Sequence, residues 1–107
     1  MQIKEGASLQ GLNIKMKSAL VEADRVWKEY GQDLVVTSGT DGEHSAGSLH
    51  YYGYALDLRT KYFPPGVVHD VAMDLTESLG RISARFQVFV HTTHIHVEYD
   101  INVITQF

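Results

Sequence analysis

The chain contains no cysteine and no long apolar run, and it has no excess of positive charge. Without cysteine there is no disulfide and no thiolate ligand, so histidine, aspartate or glutamate must hold any bound metal. No apolar run approaches the roughly 20 residues that a membrane-spanning helix needs, so we expect no membrane span. The net charge of -4 argues against a nucleic-acid-binding protein, which needs a basic patch to neutralise phosphates.

The first residues also lack the profile of a secretory signal peptide. Residues 1–6, MQIKEG, contain no basic segment followed by an apolar one. We therefore expect the chain to be made in a cytoplasm and to stay there at first. The length of 107 residues and the ordinary balance of 44% apolar and 21% charged residues predict a single globular domain over residues 1–107.

Apolar periodicity predicts two helices. The first spans residues 8–30, with Ser8 as its N-cap and Gly31 as its stop. Its apolar stripe consists of Leu9, Leu12, Met16, Leu20, Ala23, Trp27 and Tyr30. The second helix follows the chain break at residues 63–66, where proline suits a first helical turn. Its stripe consists of Val68, Ala72, Leu75, Leu79 and Ile82.

Four short segments predict strands, at residues 34–38, 54–60, 86–90 and 95–99. In the second of them Tyr54, Leu56 and Leu58 face one way, so Asp57 projects from the opposite face. The order of elements predicts an α+β domain, with helices packed on one face of a small, mostly antiparallel sheet. The apolar tail, residues 101–107, is expected to add a short edge element.

Five of the six histidines lie in or just before two short stretches, residues 48–57 and 91–96. In the first stretch His50 and Asp57 stand seven residues apart. In the second, a two-residue turn at Thr92-Thr93 would bring His91 opposite His94. Opposed residues share a face of a hairpin, so His91, His94 and His96 would then project to the same side.

This inventory predicts a Zn2+ site. A catalytic zinc takes three protein ligands and keeps one position for water. His50, Asp57 and one of the two strand histidines, His94 or His96, supply that number. The remaining histidines are then free to serve as general base, general acid or electrostatic stabiliser. Since a single histidine is more often a surface or core residue, the opposing interpretation is that these histidines are incidental.

The two stretches together resemble a known family. They contain the patterns Ser48-x-His50-x-x-Gly53-x-Ala55-x-Asp57 and His94-x-His96. The first resembles the signature of the zinc D-Ala-D-Ala carboxypeptidase family, and the second resembles its second signature. The family includes bacterial carboxypeptidases and phage endolysins that cut cell-wall peptides. It is related to the murein endopeptidases and to the hedgehog signalling domain. The resemblance covers residues 35 to about 98.

The resemblance implies a role for each matched residue. His50, Asp57 and His96 would bind zinc, and His94 would lie beside the metal and stabilise the transition state. Ser48 would support the site by hydrogen bonding. The glycine and alanine of the first pattern would keep the loop tight and leave room near the metal.

The chain departs from the family at the position of the general base. Many members carry a glutamate three residues before the last ligand, where this chain has Thr93. His91, five residues before His96, resembles the arrangement of the murein endopeptidases, in which a histidine at that spacing is proposed as base. The resemblance therefore implies that His91 is the base here.

A second departure concerns substrate binding. The family often has an arginine soon after the Ser-Gly of its first strand, which binds a substrate carboxylate. This chain instead continues from Ser38-Gly39 into Thr40-Asp-Gly-Glu-His44. Arg59 is the nearest remaining cation, and His44 lies in the loop that leads to the site, so both are expected to contact substrate. The missing arginine argues against a carboxypeptidase specific for a free C-terminus, and it favours an endopeptidase or an enzyme with an untypical substrate.

The expected function is a zinc metallopeptidase that hydrolyses a peptide bond in peptidoglycan stem or cross-bridge peptides. We expect a monomer with no nucleic-acid partner. The missing export signal would fit a phage endolysin that reaches the host cell wall by other means. The alternative is a hedgehog-like zinc-binding module that uses the metal for structure or for partner binding and catalyses nothing.

Overall fold

A computed structural model of the chain describes residues 1–41, 48–50 and 52–101. Within these ranges, two helices and five strands form an α+β fold. The helices are α1 (Ile14–Glu29) and α2 (Pro65–Gly80). The strands are β1 (Gln2–Ile3), β2 (Val35–Ser38), β3 (Ala55–Arg59), β4 (Phe86–Val90) and β5 (His94–Tyr99).

The strands form one mixed sheet in the order β1-β2-β3-β5-β4. β1 pairs with β2 in parallel, and the other three pairings are antiparallel. This confirms the predicted α+β class and the mostly antiparallel sheet. The four predicted strands are present with bounds that shift by one residue at most. β1 was not predicted, because a strand of two residues carries no periodic signal.

Both helices pack on the same face of the sheet. The strand residues that face them are almost fully buried and join one core with α1 and α2. They are Val36, Leu56, Leu58, Ile95 and Val97. α1 contributes Met16 and Trp27 to this core, and α2 contributes Leu75 and Leu79. The predicted one-sided packing is therefore confirmed, and the alternate strand residues, Asp57 among them, lie on the opposite face.

α1 begins at Ile14, six residues later than predicted. Asn13 is the N-cap, since its side-chain oxygen accepts a hydrogen bond from the Lys15 N–H at 2.9 Å. Gly11 has φ +77, which interrupts any helix before this point. Ser8 instead forms a short local turn, its hydroxyl accepting from the Gln10 N–H. The predicted stop is confirmed, because the helix ends just before Gly31.

The apolar stripe of α2 is shorter than predicted. Ile82 lies beyond the helix end at Gly80 and is 43% exposed, so it is not part of the core. Ile101 is outside any strand, and the rest of the predicted edge element, residues 102–107, lies outside the described residues. In the described part of the chain, neither helix has the length and hydropathy needed to cross a membrane.

Candidate metal centre

The hairpin of β4 and β5 has the register that the sequence predicts. Phe89 pairs with His96, and the His91 N–H donates to the His94 carbonyl at 2.8 Å. Thr92 and Thr93 are therefore the two turn residues. The rings of His91 and His94 stack with their centroids 4.8 Å apart. The predicted placement of three histidines on one side of the hairpin is confirmed.

Three of the predicted ligands meet on the face of the sheet that the helices leave uncovered. Asp57 of β3 is the direct partner of His96 on β5, and their Oδ1 and Nδ1 atoms are 2.8 Å apart. His50 reaches the same carboxylate oxygen from its loop, with Nε2 at 3.3 Å. One donor atom from each of the three residues lies within 4.8 Å of the other two. They form a group that can hold a metal ion.

Both imidazoles are held by a second hydrogen bond. Nδ1 of His50 is 2.9 Å from the Gly39 carbonyl oxygen, and Nε2 of His96 is 2.9 Å from Oε1 of Glu98. A carbonyl oxygen only accepts, so Nδ1 of His50 carries a proton and its Nε2 is the atom available to a metal. Both ring nitrogens of His96 face carboxylate oxygens, so Nδ1 of His96 becomes a lone-pair donor only when a metal ion replaces the proton between it and Asp57. Metal-binding histidines are typically oriented in this way.

The donor set fits zinc. Zinc binds nitrogen and carboxylate oxygen at about 2.0–2.2 Å in a tetrahedral geometry, which separates neighbouring donors by about 3.4 Å. The two separations from Asp57 Oδ1, 2.8 and 3.3 Å, are close to this value. Two imidazoles and one carboxylate also leave a fourth position open.

The electrostatics of the group favour binding of a cation. Burial alone would raise the pKa of Asp57, but hydrogen bonds from His50 and His96 outweigh it and hold that pKa well below its usual range. The hydrogen bond to Asp57 raises the pKa of His96. The site therefore keeps a carboxylate charge at neutral pH, and a proton on His96 is stabilised at the position where a metal ion would bind.

His94 and His91, the predicted catalytic residues, lie beside the group and outside it. Nε2 of His94 is 3.7 Å from Asp57 Oδ1, and its Nδ1 is 3.1 Å from the Thr93 hydroxyl. Burial lowers the pKa of His94, which favours its neutral form. His91 is exposed, and its ring centroid is 6.2 Å from that of His96. Their catalytic roles stay predictions.

The loop that carries His50 is stabilised through its backbone. The Ser48 hydroxyl accepts from the His50 N–H at 3.2 Å. Gly53 has φ +79, and a Cβ there would lie 2.5 Å from the Gly11 carbonyl oxygen. The glycine is therefore required by a left-handed backbone and a close approach to residues 11–13.

A cleft of about 630 Å³ opens next to Asp57. Three cations line it: Lys4, which follows β1, Arg59 of β3, and Lys61. None of them forms an ion pair with a described residue, and Asp57 is the one acid among the described lining residues. The predicted substrate contact Arg59 thus lies at this cleft.

Sequence reasoning missed two groups at the site. Lys4 could not be placed at the site because no sequence pattern predicts β1. The Gly39 carbonyl could not be predicted as a hydrogen-bond acceptor because it belongs to the backbone. His44, the other predicted substrate contact, lies outside the described residues. A comparison with models of known protein families and with curated proteins finds no match for this chain.

Proposed function

We propose that this protein is a zinc-dependent metallopeptidase that hydrolyses a peptide bond in the stem or cross-bridge peptides of peptidoglycan. The observation that carries the proposal is the convergence of His50, Asp57 and His96, with both imidazoles fixed by hydrogen bonds at their outer nitrogens. The fold would be of the type shared by D-Ala-D-Ala peptidases and the hedgehog signalling domain. A small α+β fold, with the candidate site on the face of the sheet that the helices leave uncovered, is compatible with this assignment.

Each residue has a task in the proposed mechanism. His50, Asp57 and His96 would hold the ion, which would act as a Lewis acid toward the scissile carbonyl and toward water. His91 accepts the proton of the attacking water and returns it to the leaving amine. The Thr93 hydroxyl donates to Nδ1 of neutral His94, so that the proton on Nε2 points toward the developing oxyanion.

The basic cleft would bind an anionic group of the substrate. Arg59 stands two residues along β3 from Asp57, which is about 7 Å along a strand and comparable to one or two residues of an extended peptide. A substrate carboxylate at that distance from the scissile bond would meet Lys4, Arg59 and Lys61. These cations would replace the missing arginine as the partners of a substrate carboxylate. The absence of that arginine is therefore a weaker argument for an endopeptidase than the sequence alone suggested. We further propose that the protein is a phage endolysin that acts on the host cell wall.

The proposal is tested by metal analysis followed by digestion of purified cell-wall sacculi. We expect one zinc per chain, release of new amino groups, and peptide fragments whose masses identify the cut bond. His96→Ala should lose both the zinc and the activity. A protein that binds no zinc, and whose stability is indifferent to a chelator, would refute the metal site itself.

The same experiment distinguishes the alternative function. Thr93 stands where many members of the resembled family have a glutamate base, and this observation favours a non-catalytic zinc-binding module. The alternative would be established if the protein binds zinc but releases no amine at any enzyme concentration. This result must hold on both cross-linked and uncross-linked sacculi.

A further inference from the structure

The loop after β2 is tightly packed against the segment that precedes α1. Gly39 is buried, and a Cβ at this position would lie 2.3 Å from the Ser8 carbonyl oxygen. Asp41 connects the two segments, because its Oδ1 accepts from the Ser8 N–H at 2.9 Å and from the Gly39 N–H at 2.7 Å. One partly buried carboxylate therefore fixes two backbone segments, one at Ser8 and one at Gly39.

These contacts determine where the Gly39 carbonyl points. The peptide unit that carries this carbonyl also contains the Thr40 N–H, which donates to the Ser8 carbonyl oxygen at 2.8 Å. A peptide unit is planar, so anchoring its N–H also sets the direction of its C=O. Ser8 is held in turn by Asp41. The opposite side of the same peptide unit accepts the Nδ1 hydrogen bond of His50.

We propose that Asp41 is a positioning residue of the metal centre. It holds the backbone of Ser8 and Gly39, which aims the Gly39 carbonyl at His50. That carbonyl keeps the imidazole proton on Nδ1 and leaves Nε2 available to the metal. Hydrogen-bond partners of this kind tune metal affinity because they fix the tautomer and the orientation of the ring. The inference concerns the proposed zinc site and therefore rests on the proposed function.

The test compares Asp41→Ala with Asp41→Asn. Asparagine keeps a side-chain oxygen at the place of Oδ1, so it can still accept both backbone hydrogen bonds, whereas alanine accepts none. We expect Asp41→Ala to weaken zinc binding about 10–100-fold in competition with a chelator, and Asp41→Asn to bind zinc nearly as the wild type does. Long-range proton–nitrogen spectra of the metal-free protein should show His50 with its proton on Nδ1 in the wild type and Asp41→Asn. Asp41→Ala should show a mixture of tautomers.

A stability control separates positioning from general loss of structure. Val71 is fully buried in α2, away from this loop, so Val71→Ala should lower the melting temperature and leave the His50 tautomer and zinc affinity unchanged. If Asp41→Ala does not fold, Asp41→Ser, with a shorter side chain, is measured in the same way. The proposal would be overturned if the folded variant keeps the wild-type His50 tautomer and zinc affinity. It would also be overturned if Asp41→Asn and Asp41→Ala lose zinc affinity equally. The tautomer is read without zinc, so a wild-type protein that binds no zinc would refute the proposed function and leave this test intact.

Discussion

Asp57 and His96 are direct partners on neighbouring central strands, and their Oδ1 and Nδ1 atoms lie 2.8 Å apart. Both side chains leave strands that are paired on each side, so their separation is fixed by the backbone of the sheet. His50 differs, because it comes from a loop and depends on the Gly39 carbonyl for its orientation. Two of the three donors are therefore preorganised by regular structure and the third by a loop contact.

The Asp57–His96 pair predicts that zinc affinity depends on pH. In the metal-free protein the pKa of His96 is raised and that of Asp57 is lowered. The carboxylate is thus already charged in weak acid, while Nδ1 of His96 must lose its proton before zinc binds. Below the raised pKa of His96, affinity should increase about tenfold per pH unit. Calorimetry in buffers of different ionisation enthalpy, at about pH 6 and about pH 8, should show proton release that is larger at the lower pH. An affinity that is constant over this range would contradict the assignment of His96 as a ligand.

Glu98 should tune the same ligand from its outer side. Glu98→Ala removes the acceptor of the His96 Nε2 proton, and we expect zinc affinity to fall about 10–100-fold. Glu98→Gln keeps an oxygen acceptor and should lose less. Gln87 pairs with Glu98 across the hairpin and is exposed, so Gln87→Ala is the matched control and should bind zinc normally. Equal affinities for all three variants in a chelator competition would show that Glu98 does not orient His96.

His91→Ala should separate metal binding from catalysis. His91 is outside the group of three donors, so the variant should keep one zinc per chain. Loss of a general base typically lowers kcat by about 10²–10⁴-fold, and we expect a decrease in that range on sacculi. Zinc content and amine release are measured on the same preparation, with Gln87→Ala as the control that keeps both. Loss of zinc from His91→Ala would show that the division between ligand and base is wrong.

Arg59→Gln should change substrate preference more than metal binding. A charge-assisted hydrogen bond contributes about 1.5–3 kcal/mol, so kcat/KM for a peptide with a free carboxylate near the scissile bond should fall about 10–100-fold. The same peptide with that carboxylate amidated should be cut equally well by the variant and the wild type. Lys17 is an exposed cation of α1, on the helical side of the molecule, and Lys17→Gln should change neither rate. Two pairs of peptides, one differing at the C-terminus and one at an acidic side chain, identify which carboxylate the cleft prefers.

Much of the site was predictable because it lies on regular structure. Alternation along β5 places Ile95 and Val97 in the core and therefore His94 and His96 on the opposite face. The same reasoning applies to Asp57 on β3. A period of two residues fixes which face a side chain occupies, so the convergence of these groups follows once the two strands are recognised as neighbours.

The parts that could not be predicted depend on contacts that lack a periodic signal. The apolar stripe of α1 extends back to Leu9 and Leu12, and both contact the core, but they do so from a segment that is not helical. Apolar periodicity indicates which residues are buried, and here Leu12 is buried and Leu9 partly buried without either being helical. The Gly39 carbonyl is invisible for a different reason, since every residue has a carbonyl and only the fold decides which one meets His50.

Gly53→Ala should destabilise both the fold and the metal site. The left-handed backbone costs a residue with a side chain about 1–2 kcal/mol, and the added Cβ would also lie 2.5 Å from the Gly11 carbonyl oxygen, so the total loss should exceed that value. The Gly53 N–H donates to the His50 carbonyl at 3.1 Å, so movement of this residue should also displace the ligand and weaken zinc binding. Gly66→Ala is the matched control, because its Cβ would contact nothing within 4 Å and its φ is not positive. As a substitution within α2, it should stabilise the protein by about 0.4–1 kcal/mol. Urea unfolding with a chelator and with added zinc measures both effects, and a Gly53→Ala variant as stable as Gly66→Ala would contradict the backbone geometry of this loop.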